Sequence, residues 1–279
     1  MTPGIHLNLP AAEYHSEHAI SASHLRKLWQ TTPAHYLEWL KTPEEPTIEM
    51  ILGTLCHHVI LEPHLPLPCI AVIPETYRSA DGEEKPWNAN SKYCKAWKAG
   101  QIAKGVIPLK AAEMERVRKA SEVIAKHPEA KHLINSIKHT EVSILCELPQ
   151  FRLRGKARLD IVPMIPVLGD LKFTHDASTR GFQDHAYRMG YHIQAAWYLD
   201  MWNAVAGSED RKEGFRIIAI EDEPPYAVNV INMKPDLIED GRRIYTETLE
   251  LYARCKASDN WPAYGDEINE IGKPYWVKP

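Results

Sequence analysis

FRLRGKARLDIVPMIPVLGDLKFT, residues 151–174, carries two alternating segments on either side of a proline-flanked turn. Alternate residues of a strand face the same side. That puts Arg152, Arg154, Lys156, Arg158 and Asp160 on one face and Leu153, Gly155, Ala157, Leu159 and Ile161 on the other. The segment Pro163-Met164-Ile165-Pro166 reads as a turn, after which a return strand carries Asp170 and Lys172 on one face and Gly169, Leu171 and Phe173 on the other. A turn centred near Ile165 sets Asp160 opposite Asp170. Directly opposed strand residues have Cβ atoms about 4.5–5.5 Å apart, and like charges so placed are destabilising. A plain sheet has no reason to put them there, and a divalent cation between them resolves the conflict. Few protein oxygens in such a site suit Mg²⁺, which keeps water and accepts phosphate as a ligand.

Lys172 lies two residues beyond Asp170, on the same face. Its ammonium can orient an attacking water, help deprotonate it, or offset charge growing on a phosphate. A bound metal polarises the substrate and lowers the pKa of its water. These parts suffice for phosphodiester hydrolysis. Asp-x-Lys by itself is a common surface pair, and a basic alternating face is commonly solvated sheet. What separates this stretch from both is the conjunction with Asp160 across a short hairpin.

Outward from the hairpin, residues 141–149 read as a further strand. Residues 178–206 read as helix, 215–221 and 226–233 as two strands around Pro224-Pro225, and 235–257 as a long helix. Upstream, 21–40 reads as two helices broken near Pro33, with Ser21 or Ser23 as cap, and 47–62 as an apolar helix ended by Pro63. Residues 63–90 read as a surface excursion with one strand, CIAVIP. Residues 91–127 are helical, with Lys and Arg outward. The tail, 258–279, holds Trp261, Tyr264, Tyr275 and Trp276 and is expected to pack across the surface. Helices, a sheet, a helix, more strands and a helix predict an α/β fold with a central mixed β-sheet flanked by helices and a helical N-terminal part. We expect a single domain over 1–279, divided into a mostly helical part (1–140), the catalytic sheet and helices (141–257) and the tail.

The chain has 279 residues, 44% hydrophobic and 25% charged, within the usual range for a globular protein. No apolar run reaches the ~20 residues of a membrane span. No basic-then-apolar leader opens the chain, which points to the cytoplasm. Five cysteines, never spaced CxxC, argue against a disulfide framework and against a cysteine-held zinc or iron–sulfur site. Net charge is −4 and the isoelectric point about 6.4, so any nucleic-acid surface must be local rather than global. No GxxxxGK[ST] loop is present, so no ATPase motor is expected.

With these residues in view the sequence resembles the RecB-like branch of the PD-(D/E)XK superfamily, and within it most closely the RecE-type (exonuclease VIII) C-terminal nuclease domains. The family pattern GxxxH, Glu, GxxxxD, DxK, QxxxY appears in order as Gly53-Thr-Leu-Cys-His57, Glu141, Gly155-Lys-Ala-Arg-Leu-Asp160, Asp170-Leu-Lys172 and Gln194-Ala-Ala-Trp-Tyr198. The likeness runs over roughly residues 20–255. Gly53 and His57 share a helix face, where a glycine would let another backbone approach. Tyr187, Tyr191, Gln194 and Tyr198 form one helical stripe, in which a buried amide needs partners.

The resemblance implies a restriction-endonuclease-like core with catalytic Asp160, Asp170, Lys172, Glu141, Gln194 and Tyr198. It implies a metal (Mg²⁺, with Mn²⁺ able to substitute) held by His57, Asp160, Asp170 and Leu171. Glu147 is an alternative to Glu141. Phosphate contacts fall to Arg154, Lys156, Arg158, Arg180 and Arg188. The implied activity is 5′-to-3′ degradation of linear double-stranded DNA, leaving 3′ overhangs for a RecT-type annealing protein. A ring-shaped homo-oligomer (a tetramer) and a phage or prophage origin are implied as well. Two other readings compete. One is a structure-specific or single-strand nuclease with the same centre. The other is a catalytically silent DNA-binding recombination scaffold, which binds DNA without metal-dependent cleavage.

Overall fold

Residues 137–174 fold as the antiparallel meander their alternating patterns predict, with further strands extending the sheet at both edges and helices packed on its two faces. The computed structural model of the protein describes residues 1–42 and 46–273. In chain order come β1 (Gly4–His6), α1 (Ala11–Ser16), α2 (Ala22–Gln30), α3 (Pro33–Lys41), α4 (Ile48–Leu61), β2 (Ile70–Val72), β3 (Thr76–Arg78), β4 (Glu84–Pro86), α5 (Lys92–Ile102) and β5 (Ile107–Leu109). Then follow α6 (Ala111–Ile124), α7 (Pro128–Asn135), β6 (Ile137–Leu148), β7 (Leu153–Pro163), β8 (Val167–Thr174), α8 (Thr179–Arg188), α9 (Tyr191–Val205), β9 (Gly214–Glu221), β10 (Val228–Asn232) and α10 (Pro235–Ser258).

The central sheet has the order β1-β6-β7-β8-β9-β10. Its β8–β9 pair is parallel and its other pairs are antiparallel, so it is mixed, with α8 and α9 forming the crossover. One face buries a cluster built on α2, α9 and α10, including Leu25, Phe182, Ile193, Trp197, Ile244 and Leu249. The other buries Leu52, Leu55, Val117, Ile124, Leu133 and Ile218 under α4, α6 and α7. This is the α/β architecture expected from the element order. All five cysteines are free. Among the described residues no helix is long and apolar enough to cross a membrane.

Several local expectations need correction. The excursion after Pro63 contains three short strands rather than one, and β5 interrupts the stretch read as helix over 91–127. β1 and α1 were not anticipated. Elements of three to six residues show too few periods to carry a pattern. The helix read over 178–206 is two helices, broken at Gly190, whose positive φ of 68° a side chain would resist. Tyr187 therefore belongs to α8, not to the stripe of Tyr191, Gln194 and Tyr198. Of the tail, Trp261 stacks on Tyr36 at 6.0 Å, and the Ala34 N–H donates to the Pro262 carbonyl at 3.1 Å. Tyr275 and Trp276 lie outside the described residues.

Candidate active site

The site lies where the meander comes apart. Only Ile161 and Gly169 pair between β7 and β8, a register that sets Asp160 across from Asp170. The strict alternation read along 151–161 does not hold. Leu159 packs in the cluster under α9, whereas Ile161, two residues on, packs in the cluster under α4. The strand thus turns over at Asp160. On the neighbouring strand Glu141 stands at φ 51°, left-handed for a residue with a Cβ. Such a conformation is costly and persists where surrounding structure enforces it. The sequence placed Glu141 at the opening of its strand, but β6 begins at Ile137 and Glu141 sits inside it. The distortion turns both carboxylates out of the ladder and toward α4.

From α4, His57 meets them. Its Nε2 lies 2.8 Å from the Leu171 carbonyl, which can only accept, so the proton is on Nε2. Nδ1 then faces the carboxylates, 3.4 Å from Asp160 Oδ2 and 3.8 Å from Glu141 Oε1. The Leu171 N–H donates to Asp160 Oδ2 at 3.2 Å. Leu171 therefore clamps both side chains through its backbone, and the carbonyl it could offer a cation is engaged by His57. Gly53 serves no close approach: a Cβ there would meet nothing within 4 Å.

Asp170 is buried at 1% exposure and faces the other helix layer. The Gln194 amide of α9 donates to its Oδ1 at 3.0 Å, answering the question of what a buried glutamine bonds. The Lys172 ammonium stands 2.6 Å from its Oδ2 and 4.9 Å above the Tyr191 ring. That Oδ2 has no well-aligned hydrogen bond among the described residues. Tyr198 is one helical turn beyond Gln194 and feels the charges of Asp160 and Asp170; burial pushes its hydroxyl well above the usual range.

The electrostatics record a shortage of positive charge. Burial, then the charge of Asp170, pushes the Asp160 carboxyl up to about 7. Burial opposes a charged His57, yet Asp160 and Glu141 outweigh it and hold that imidazole at about 9. Burial acts against the Lys172 ammonium too, but Asp170 and Asp160 raise its pKa. Lys172 is thus a cation here and not a proton acceptor. For Glu141, burial is outweighed by His57 and Arg158, and its pKa falls.

One donor each from His57, Glu141 and Asp160 lie within 4.8 Å of one another, a set that could hold a metal ion. The fit is good on two counts. A hard divalent cation takes carboxylate oxygens and a neutral imidazole nitrogen, and it would offset both the burial and the Asp170 repulsion that raise Asp160. Asp170, assigned from sequence to the metal, is not among those three: its Oδ1 accepts from Gln194 and its Oδ2 pairs with Lys172. Glu147 is remote from the group: it is exposed and pairs with Arg154 at 3.1 Å.

The predicted phosphate contacts divide. Arg152 is the left-handed residue before β7 and not part of the strand. Arg154 binds Glu17 at 2.5 Å and the Met1 carbonyl at 2.5 Å. Lys156 is buried and donates to the carbonyls of Tyr14 (2.9 Å), His15 (3.3 Å) and Glu17 (2.8 Å), at the C-terminal end of α1. Arg158 holds Glu141 Oε2 at 2.7 Å and the Leu9 carbonyl at 2.9 Å. These three are consumed by the N-terminal arm and by Glu141. A run of exposed strand cations cannot be told from a covered one in sequence. Arg180 and Arg188 remain exposed on α8. Sequence reading missed Tyr14, whose ring lies under Lys156 at 4.8 Å. It also missed Arg26 of α2, whose charge reaches Tyr191 and Tyr198. Neither lies in a motif-bearing stretch, so no local signal marks them.

Comparison with known proteins gives a family and a fold. The chain belongs to the family described as "PDDEXK-like domain of unknown function (DUF3799)", which it matches over residues 21–274, and so to the PD-(D/E)XK superfamily. It is similar in fold to a crystal structure from Eubacterium rectale named "Putative exonuclease", with a TM-score of 0.64, 14% identity and 96% of each chain covered. A second solved structure, SSO0001, aligns at a TM-score of 0.29 and 14% identity over 82% of this chain and 85% of that one. No curated protein matches.

Proposed function

From membership of that family as premise, we propose that the protein is a divalent-metal-dependent exodeoxyribonuclease. Its substrate is linear double-stranded DNA, degraded 5′-to-3′ to leave 3′ single strands for a RecT-type annealing partner. The observation that carries the hydrolytic reading is the convergence of Asp160, Asp170 and Lys172 at the β7–β8 fork, where burial and then the charge of Asp170 push Asp160 up to about 7. The exonuclease name of the Eubacterium rectale neighbour supports the same class of reaction.

Asp160, Glu141 and His57 Nδ1 would hold Mg²⁺ or Mn²⁺, with Asp170 as the further carboxylate. Such a cation supplies Lewis acidity toward phosphate and an acidified water. The chain's own groups do the rest. Lys172 keeps an ammonium beside the reacting phosphate, where fixed positive charge favours the more negative transition state. Gln194 holds the Asp170 carboxylate, and Arg158 holds Glu141. Tyr191 lies beneath Lys172 and limits where its ammonium can go. A tetrameric ring belongs to the same proposal; a monomer in sedimentation velocity would contradict it.

The test is digestion of end-labelled linear duplexes, with and without a 5′-phosphate, in Mg²⁺ and then in EDTA. Cleavage from 5′ ends only, abolished by EDTA and by Asp160→Ala or Asp170→Ala in folded protein, is expected. Retained digestion by both variants overturns the assigned centre. Internal or single-strand cutting by the parent protein overturns the exonuclease reading while keeping the centre.

A further inference from the structure

The cations of β7 are engaged internally, so a substrate backbone must find its positive charge elsewhere. Lys85 to Ala112 is the longest stretch of the chain with no Asp or Glu, in a protein of net charge −4, and it holds six of its lysines: 85, 92, 95, 98, 104 and 110. Helix α5 lies within it. Lys92, Lys95 and Lys98 recur at every third residue and so form one stripe along the helix. Lys92, Lys95, Lys104 and Lys110 are exposed and Lys98 is half-buried. Among the described residues none of these five makes an ion pair, whereas Lys85 is held by Asp81 at 2.9 Å and by Glu83 at 3.3 Å.

The stripe sits on a rigid base. Trp97 of α5 meets Trp87 edge-on at 5.4 Å, and Tyr93 stacks on Tyr77 at 6.4 Å, so two aromatic pairs fix α5 to the β3–β4 hairpin. Cys94 is buried beneath the helix at 1% exposure. The hairpin's acids are largely occupied: Asp81 and Glu83 by Lys85, and Glu84 by the Thr76 hydroxyl at 2.6 Å. Tyr93 leaves half its surface free at the margin of the stripe.

We propose that the lysine stripe of α5, with Lys104 and Lys110, is a contact surface for the phosphate backbone of a nucleic acid, outside the cleavage centre. Evenly spaced lysines on a fixed helix, without carboxylates among them, match a regular polyanion through counterion release rather than base reading. The proposal rests on the nuclease reading for its choice of partner.

The experiment compares the parent chain with the K92E/K95E/K98E variant and with R243E, a cation on α10 that is already paired with Asp240 and Glu247. Binding of a labelled duplex in EDTA is followed by anisotropy across about 50–200 mM salt, and Mg²⁺-dependent cleavage is measured in parallel. The triple variant is expected to bind at least about tenfold more weakly, with a log–log salt slope shallower by about 2–3. Its KM should rise, its kcat at saturating DNA should be unchanged, and R243E should match the parent. Unchanged affinity and slope in the triple variant overturn the surface, while parental cleavage leaves the nuclease reading standing. Parental binding lost in the triple variant, without cleavage in any metal, supports the surface and overturns the nuclease reading. Binding to phosphatidylserine vesicles that the triple variant loses, with DNA binding unaffected, overturns the choice of partner.

Discussion

At the scale of single residues the site is a balance among ionisable groups that a metal would reset. The unfolded Asp160 ionises near 3.8, but the folded one holds its proton to about 7, so stability falls as pH rises toward 7. His57 titrates at 6.5 when unfolded and about 9 when folded, so its contribution is complete below 6.5 and is lost as pH rises through 9. Both groups make the metal-free protein less stable in mild alkali. Metal needs the same donors deprotonated. Thermal unfolding should therefore show a Mn²⁺-induced rise in Tm that is larger at about pH 8.5 than at about pH 6, and smaller in His57→Gln at both. An equal rise at the two pH values would refute this account. Lys172, with a raised pKa, acts as a fixed charge. Lys172→Ala should lower kcat by about 10²–10³ with DNA affinity little changed, and an equal loss in single-turnover rate and in affinity would count against the role. Of these residues, Asp160, Asp170, Lys172 and His57 were legible because each occupies a spaced motif. Tyr14 and Arg26 were not, because they arrive from an arm and a helix far away in sequence.

At the scale of elements the placement of α9 is decisive, since it carries Tyr191 and Gln194 to Lys172 and Asp170 of β8, and Tyr198 to Phe215 of β9. It is held by α10 at a very close crossing: a Cβ on Gly241 would lie 2.1 Å from the His192 carbonyl oxygen. Gly241→Ala must push the helices apart, and overpacking of this kind costs about 1–3 kcal/mol. Urea unfolding should show that loss. Cleavage should slow as Gln194 moves from Asp170, and full activity with full stability would show the crossing to be slack. Strong periodic patterns made the long elements readable. The break at Gly190 was hidden because the apolar pattern runs on across it. The turnover at Asp160 was hidden because alternation in sequence assumes a regular strand, whereas the left-handed Glu141 and the fork at Gly169 impose an irregular one.

At the scale of the whole molecule two apolar clusters share one sheet. Phe182 belongs to the cluster under α9, and Leu133 to the one under α7, yet the strands between them are common to both. We propose that neither half unfolds alone. Phe182→Ala and Leu133→Ala should each lower stability by about 2–5 kcal/mol and shift the same single transition, seen by both far-UV circular dichroism and tryptophan fluorescence. Two separate transitions, one per variant, would show independent units.

The long strands, the mixed α/β architecture and the two aspartates with their lysine could be read from the residues alone. Those rest on periodicity and on short-range spacing, which the chain carries locally. Packing alone brings Glu141 and His57 to Asp160, sets the Gln194 amide on Asp170, and covers Arg154, Lys156 and Arg158 with the N-terminal arm. Each of these depends on which distant backbone carbonyl or carboxylate reaches a charge first. That is settled by packing across the two faces of the sheet and leaves no mark on the spacing of neighbouring residues.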